Sequence, residues 1–76
     1  HQSGHCIIKA LTPIEDFNEH FETDFSDEEY DTIGGIVTHE FGRLPERGES
    51  ISIEGLLFEV MRADARRVYL LRVTRE

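Results

Sequence analysis

The stretch Asp31-Thr32-Ile33-Gly34-Gly35-Ile36-Val37-Thr38-His39-Glu40-Phe41-Gly42 holds a contradiction whose resolution sets the fold. Ile33, Ile36, Val37 and Phe41 recur with helical spacing, so the run reads as a helix from about Thr32 to Phe41. Asp31 or Thr32 can cap its start, and Gly42 suits the left-handed residue that closes it. Yet Gly34 and Gly35 fall in its first turns, where each Gly costs up to about 1 kcal/mol against Ala. Something must compensate. The structural reading is close packing of that turn against a sheet or another helix. The functional readings are an anion cradle at a helix N-terminus or a partner docking surface.

Downstream, Arg43 to Glu49 is a loop punctuated by Pro45 and Gly48. Ile51 and Ile53 then alternate with Ser50, Ser52 and Glu54. After a tight turn or bulge at Glu54-Gly55, Leu56, Phe58 and Val60 alternate with Leu57, Glu59 and Met61. Arg62 to Arg66 is the next connection. Residues 67–75 form a last strand with Tyr69, Leu71 and Val73 on one face. Connections this short allow only antiparallel pairing.

Upstream, residues 6–11 read as a short strand, with Ile7 and Ile8 leaving its phase open. Thr12-Pro13-Ile14-Glu15 predicts a helix start, with Thr12 as N-cap, Pro13 as first helical residue and Glu15 completing a capping box. Ile14, Phe17 and Phe21 give that helix one apolar face, ending near Glu22. Ser26 with Glu29 predicts one further helical turn at 27–30. The order is β-α-α-β-β-β: an α+β domain of two layers, with both helices on one face of an antiparallel sheet. Residues 1–5 are expected to be ragged and 6–76 to form the domain. With 76 residues there is room for one core.

Charge is unevenly placed. Net charge is −8, and Glu15 to Asp31 holds nine carboxylates and no Lys or Arg, while the rest has seven acids and eight bases. Such a field repels nucleic acid and anionic lipid heads and attracts cations or basic protein surfaces. Asp24, Asp27, Glu28, Glu29 and Asp31 are the candidate ligands for weak, screening-type binding of Mg²⁺ or another divalent cation. No EF-hand spacing, nucleophile elbow, phosphate loop or zinc motif occurs, so the chain reads as a non-enzyme that requires no cofactor. Cys6 has no internal partner and reads as a small buried residue. His20 and His39 read as surface histidines. No apolar run approaches the ~20 residues of a membrane span. The chain begins at His1 without a visible signal peptide, and is expected to be a soluble piece of a larger protein.

The runs Pro13 to Asn18, Tyr30 to Val37, Phe41 to Pro45, Gly48-Glu49, Ile53 to Gly55 and Phe58 to Val60, with Ala63-Asp64 and Arg66-Arg67, resemble the CorC/HlyC transporter-associated domain. The resemblance covers residues 6 to 75. It implies a domain at the C-terminal end of bacterial magnesium and cobalt efflux proteins, following a pair of CBS modules that bind adenine nucleotides. It also implies a fold similar to small FAD-binding-type α+β domains, and no catalytic residues. The expected role is regulation of divalent-cation transport through protein contacts or ion sensing. Expected partners are the CBS modules of the parent chain, a membrane transport protein, or a second copy in a homodimer, with any membrane association made through the parent chain or a partner. A nucleotide- or flavin-binding module and a structural oligomerisation domain are the alternatives. The motif positions expected to matter for packing or docking are Asp31, Thr32, Ile33, Gly34, Gly35, Gly42, Pro45, Gly48 and Gly55.

Overall fold

The structure is a computed structural model and describes residues 5–76. Its elements are β1 (His5–Lys9), α1 (Ile14–Phe21), α2 (Ile33–Phe41), β2 (Ser50–Ile53), β3 (Leu56–Ala63) and β4 (Val68–Arg75). The expected β-α-α-β-β-β order is therefore observed. The strands form one sheet in the order β1-β4-β3-β2, and every neighbouring pair is antiparallel. The expected ragged segment falls largely on residues 1–4, which lie outside the described residues; His5 opens β1.

One face of the sheet carries the core. Leu56, Phe58 and Val60 of β3 and Leu71 and Val73 of β4 are buried there against Phe17 of α1 and Ile33 and Val37 of α2. The phase of β1 is now fixed: Cys6 and Ile8 lie inward and half-buried, while Ile7 is exposed. Phe17 stacks on Phe21 at 4.4 Å between ring centroids and lies 5.8 Å from Phe58. Burying such side chains contributes about 1.5–3 kcal/mol each. This one layer of contacts is the main apolar source of stability in a chain of this size.

The β2–β3 hairpin has a two-residue loop, with Ile53 opposite Leu56. Glu54 and Gly55 both have positive φ, at 53° and 82°. Two positive φ values are the signature of a type I′ turn, whose twist matches that of the strands it joins.

Four expectations are corrected. Thr12 is not the N-cap of α1. Pro13 occupies that position in extended conformation, and helix begins at Ile14, one residue later than expected. The Thr12 hydroxyl instead donates to Lys9 O at 2.6 Å. Its carbonyl accepts from Ile33 N at 3.0 Å while Ile14 N donates to Asp31 O at 3.0 Å. The N-termini of the two helices thus satisfy each other through a short antiparallel bridge.

The helical turn expected at 27–30 does not form. Ser26 Oγ accepts from Glu28 N at 3.2 Å, a local turn that competes with helix. The connection placed at Arg62–Arg66 is shorter and later, because β3 runs on to Ala63 and Asp64 N bonds to Arg67 O at 3.0 Å. Finally, Tyr69 is exposed and Val68 is buried, the reverse of simple alternation. The pairing passes from Val60↔Leu71 to Arg62↔Leu70 and then to Ala63↔Val68. Met61 on one strand and Tyr69 on the other are each left over, so two bulges cancel and turn Tyr69 outward.

Candidate functional site

Gly34 sits where α2 meets the end of β1. Its amide donates to Ala10 O at 2.9 Å. A Cβ at this position would stand 2.7 Å from Ala10 Cβ and 2.8 Å from Ala10 O. No side chain fits there, which is the compensation the sequence demanded. At Gly35, a Cβ would meet Tyr30 Cδ1 at 3.2 Å. The Gly35 amide donates to Thr32 Oγ1 at 3.2 Å, so Thr32 is the N-cap and Asp31 is not. Both glycine amides are thus engaged within the fold, which leaves no free pair of donors for an anion cradle.

The remaining motif positions are scattered. Ile33 is fully buried beside Gly34. Gly42 closes α2 with φ +76°, bonding Thr38 O and His39 O. Pro45 is buried. Gly48 donates to Val60 O at 2.8 Å, and Gly55 O accepts from Glu76 N at 2.9 Å. Asp31, Thr32, Ile33, Gly34 and Gly35 are brought together; Gly42, Pro45, Gly48 and Gly55 lie in separate turns.

The candidate metal ligands Asp24, Asp27, Glu28, Glu29 and Asp31 are all exposed. Among the described residues, no three His, Cys, Asp or Glu side chains are grouped so as to hold a metal ion. The loop that carries them is anchored by a residue outside the expected site. Asn18 Nδ2 donates to Phe25 O at 2.9 Å, and Asn18 Oδ1 accepts from Thr23 Oγ1 at 2.8 Å and from Phe25 N at 2.9 Å. One neutral amide therefore holds a carboxylate-rich loop against α1. A polar residue on the helix was the available signal, but its partners lie five and seven residues on.

An open cleft of about 410 Å³ runs beside the glycine pair. Gly34 and Gly35 border it, together with Tyr30, His39, Arg66 and Arg67. Tyr30 Oη lies 2.8 Å from His39 Nδ1, so His39 is a partnered residue rather than a lone surface histidine. The perturbed acids are not among the cleft's lining residues. Glu49 is lowered to about 2, first by its hydrogen bonds from Arg43 and then by the Glu46 amide. Asp64 is lowered by Tyr69 Oη and by the amides of Arg66 and Arg67. Each sits on an exposed loop with its partners already in place, an arrangement that fixes turns rather than poising a general acid or base.

The chain is similar to proteins of known family. It is 60% identical over 73 residues to the magnesium and cobalt efflux protein CorC of Buchnera aphidicola, a match covering 96% of this chain and 25% of that protein. The chain spans about a quarter of the length of the relatives it matches. A crystal structure of a CorC-associated region from Neisseria meningitidis superposes with a TM-score of 0.94 at 52% identity, covering 99% of this chain and 93% of that one. The transporter associated domain of a Xylella fastidiosa hemolysin, solved in complex with Mg²⁺ and Mn²⁺, superposes with a TM-score of 0.83 at 28% identity, covering 100% of this chain and 92% of that one. The sequence model of the transporter associated domain, CorC_HlyC, matches residues 1–76, and the chain belongs to that family.

Proposed function

We propose that this chain is a non-catalytic accessory domain of a magnesium and cobalt efflux protein, acting on divalent-cation transport through contacts with other protein surfaces. The observation that carries this reading is the 60% identity over 96% of the chain to one quarter of such a protein. An accessory module needs surface and stability rather than an enclosed chemical site. That agrees with a core on one sheet face and with titratable groups held in loop contacts. The reading places the domain on the cytoplasmic side, beside CBS modules of its parent chain. The test is efflux of Co²⁺ and Mg²⁺ by cells expressing the parent protein with or without this domain. A changed rate or threshold is expected. Identical transport with the domain removed would sink the proposal.

A second reading concerns ions. The Xylella fastidiosa neighbour solved with Mg²⁺ and Mn²⁺ favours direct contact between such a domain and divalent cations. In this chain the contact would be made by the exposed carboxylates of the acidic loop, which carry high negative potential without a preformed cage. Isothermal titration with Mg²⁺ should give weak saturable heat that falls on changing Asp27→Asn, Glu28→Gln and Glu29→Gln. No heat at millimolar Mg²⁺ would remove this reading and leave the first intact.

A further inference from the structure

Four of the chain's eight Lys and Arg residues, Lys9, Arg62, Arg66 and Arg67, gather where β1 runs toward α1 and β3 turns into β4. The ion pairs among the described residues are Arg43–Glu49 and Arg72–Glu59, so none of these four is paired. They border two adjoining clefts. The first is the one beside Gly34, edged by Arg66 and Arg67. The second, about 350 Å³, is edged by Lys9 and Arg62 and floored by Val68 and Leu70. Leu11 borders both and is 64% exposed, a ridge of bare apolar surface between them.

No carboxylate lines either cleft, in a chain that has sixteen. Among the acids close in the chain to lining residues are Asp31, between Tyr30 and Thr32, and Asp64, which three donors hold: the amides of Arg66 and Arg67 at 2.7 and 3.0 Å and Tyr69 Oη at 2.7 Å. Asp64 shapes the turn and leaves a cationic excess. The Arg67 guanidinium lies 5.4 Å from the centre of the Tyr69 ring, which the paired bulges have turned outward. The bulges, the exposed Leu11 and the unpaired cations therefore coincide on one surface.

We propose that this surface docks an acidic protein segment bearing an apolar anchor, the anchor seating beside Leu11 and the carboxylates meeting Arg66, Arg67, Lys9 and Arg62. Charge complementarity selects this occupant. An anionic bilayer would present a broad flat face to a molecule of net charge −8 and be repelled by it. A short acidic segment meets only the local cationic field, and its side chains fit concave clefts. The inference rests on the reading of the domain as a contact module and names the contact. Its test reads binding rather than transport, so either can fail alone.

The Neisseria meningitidis region crystallised is 93% covered by this chain, so the isolated domain is the unit to test. The probe is a fluorescent peptide with the sequence of residues 22–31, which carries six carboxylates with Phe25 and Tyr30 as anchors. Titration is followed by anisotropy and by amide NMR shifts of the labelled domain. Saturable binding that moves Leu11, Arg66, Arg67 and Tyr69 is expected, and it should weaken with salt because the charges involved are exposed. Changing both Arg66→Glu and Arg67→Glu should weaken it about tenfold, since each exposed pair contributes little and reversal adds repulsion. Leu11→Ser, which alters an exposed side chain, should weaken it without altering the far-UV spectrum. Unchanged binding by the charge-reversed variant, shifts centred elsewhere, or no binding at millimolar peptide would each overturn the proposal. So would binding of phosphatidylglycerol vesicles or of AMP at these residues in the absence of peptide binding.

Discussion

At the scale of single residues, Gly34 and Gly35 separate two roles that adjacent glycines can have. An added methyl at position 34 meets the backbone oxygen that accepts the Gly34 amide, so relief of the clash breaks a hydrogen bond. Overpacking costs about 1–3 kcal/mol, and helix propensity returns at most about 1 kcal/mol. Gly34→Ala should therefore lower stability, by about 2 kcal/mol in urea denaturation. At position 35 the obstacle is the half-buried Tyr30 side chain, which can shift by tenths of an ångström. Gly35→Ala should stay within about 1 kcal/mol of the parent. Equal effects at the two sites would refute the distinction. The sequence carried half of this: two glycines in a helix demand a reason. It did not carry the identity of Ala10, because a contact across 24 positions leaves no local pattern. Cap placement failed for the same reason. Thr12 has the right chemistry for an N-cap, yet the partner of the α1 N-terminus is Asp31 O, on a different segment.

At the scale of elements, legibility followed periodicity. Both helices, β2 and the inner face of β3 were readable because their apolar spacing is regular. The Val68–Leu71 stretch was not, because two bulges break a period of two that any pattern reading assumes. The turns give two predictions. Glu54 holds φ 53° in the β2–β3 turn, a region unfavourable for L-residues other than Asn and Asp. Glu54→Asn creates the preferred Asn-Gly pair and should raise stability by about 0.5–1 kcal/mol, seen as a higher urea midpoint at unchanged slope. A lowered midpoint would contradict the turn assignment. In the Arg43–Glu49 loop, Glu49 is depressed to about 2 from an ordinary 4.5, first by the Arg43 hydrogen bonds. A depressed carboxylate contributes stability that is present above its unfolded value and lost as pH falls through its folded one. Glu49→Gln should accordingly be less stable than the parent at neutral pH. The gap should close as pH falls from 4.5 toward 2. A gap that persists at the acid end would mean that Glu49 acts through packing rather than charge.

Over the whole molecule, the balance of charge decides the response to salt. Two ion pairs, Arg43–Glu49 and Arg72–Glu59, lose strength as ionic strength rises. Both are partly exposed, and such pairs contribute little. Against them stand nine carboxylates between Glu15 and Asp31 with no cation in that stretch. Arg75 reaches the Phe21 carbonyl rather than a carboxylate of this segment. Asn18, the residue that pins the loop, is neutral, so it holds the acids in place without relieving their repulsion. Screening should therefore relieve more than it removes, since the Debye length falls from ~30 Å at 0.01 M to ~3 Å at 1 M. The melting temperature should rise with NaCl over that range. The variant with Asp27→Asn, Glu28→Gln and Glu29→Gln should melt higher at low salt and respond less to added salt. A melting temperature that falls with salt would show that the two surface pairs outweigh the acidic segment, and that the segment's charge is carried by the fold at little energetic cost. If the rise is seen, a partner that brings cations to this face gains affinity by relieving the same repulsion. The stability of the free domain and the charge preference of its acidic face would then be two measurements of one field.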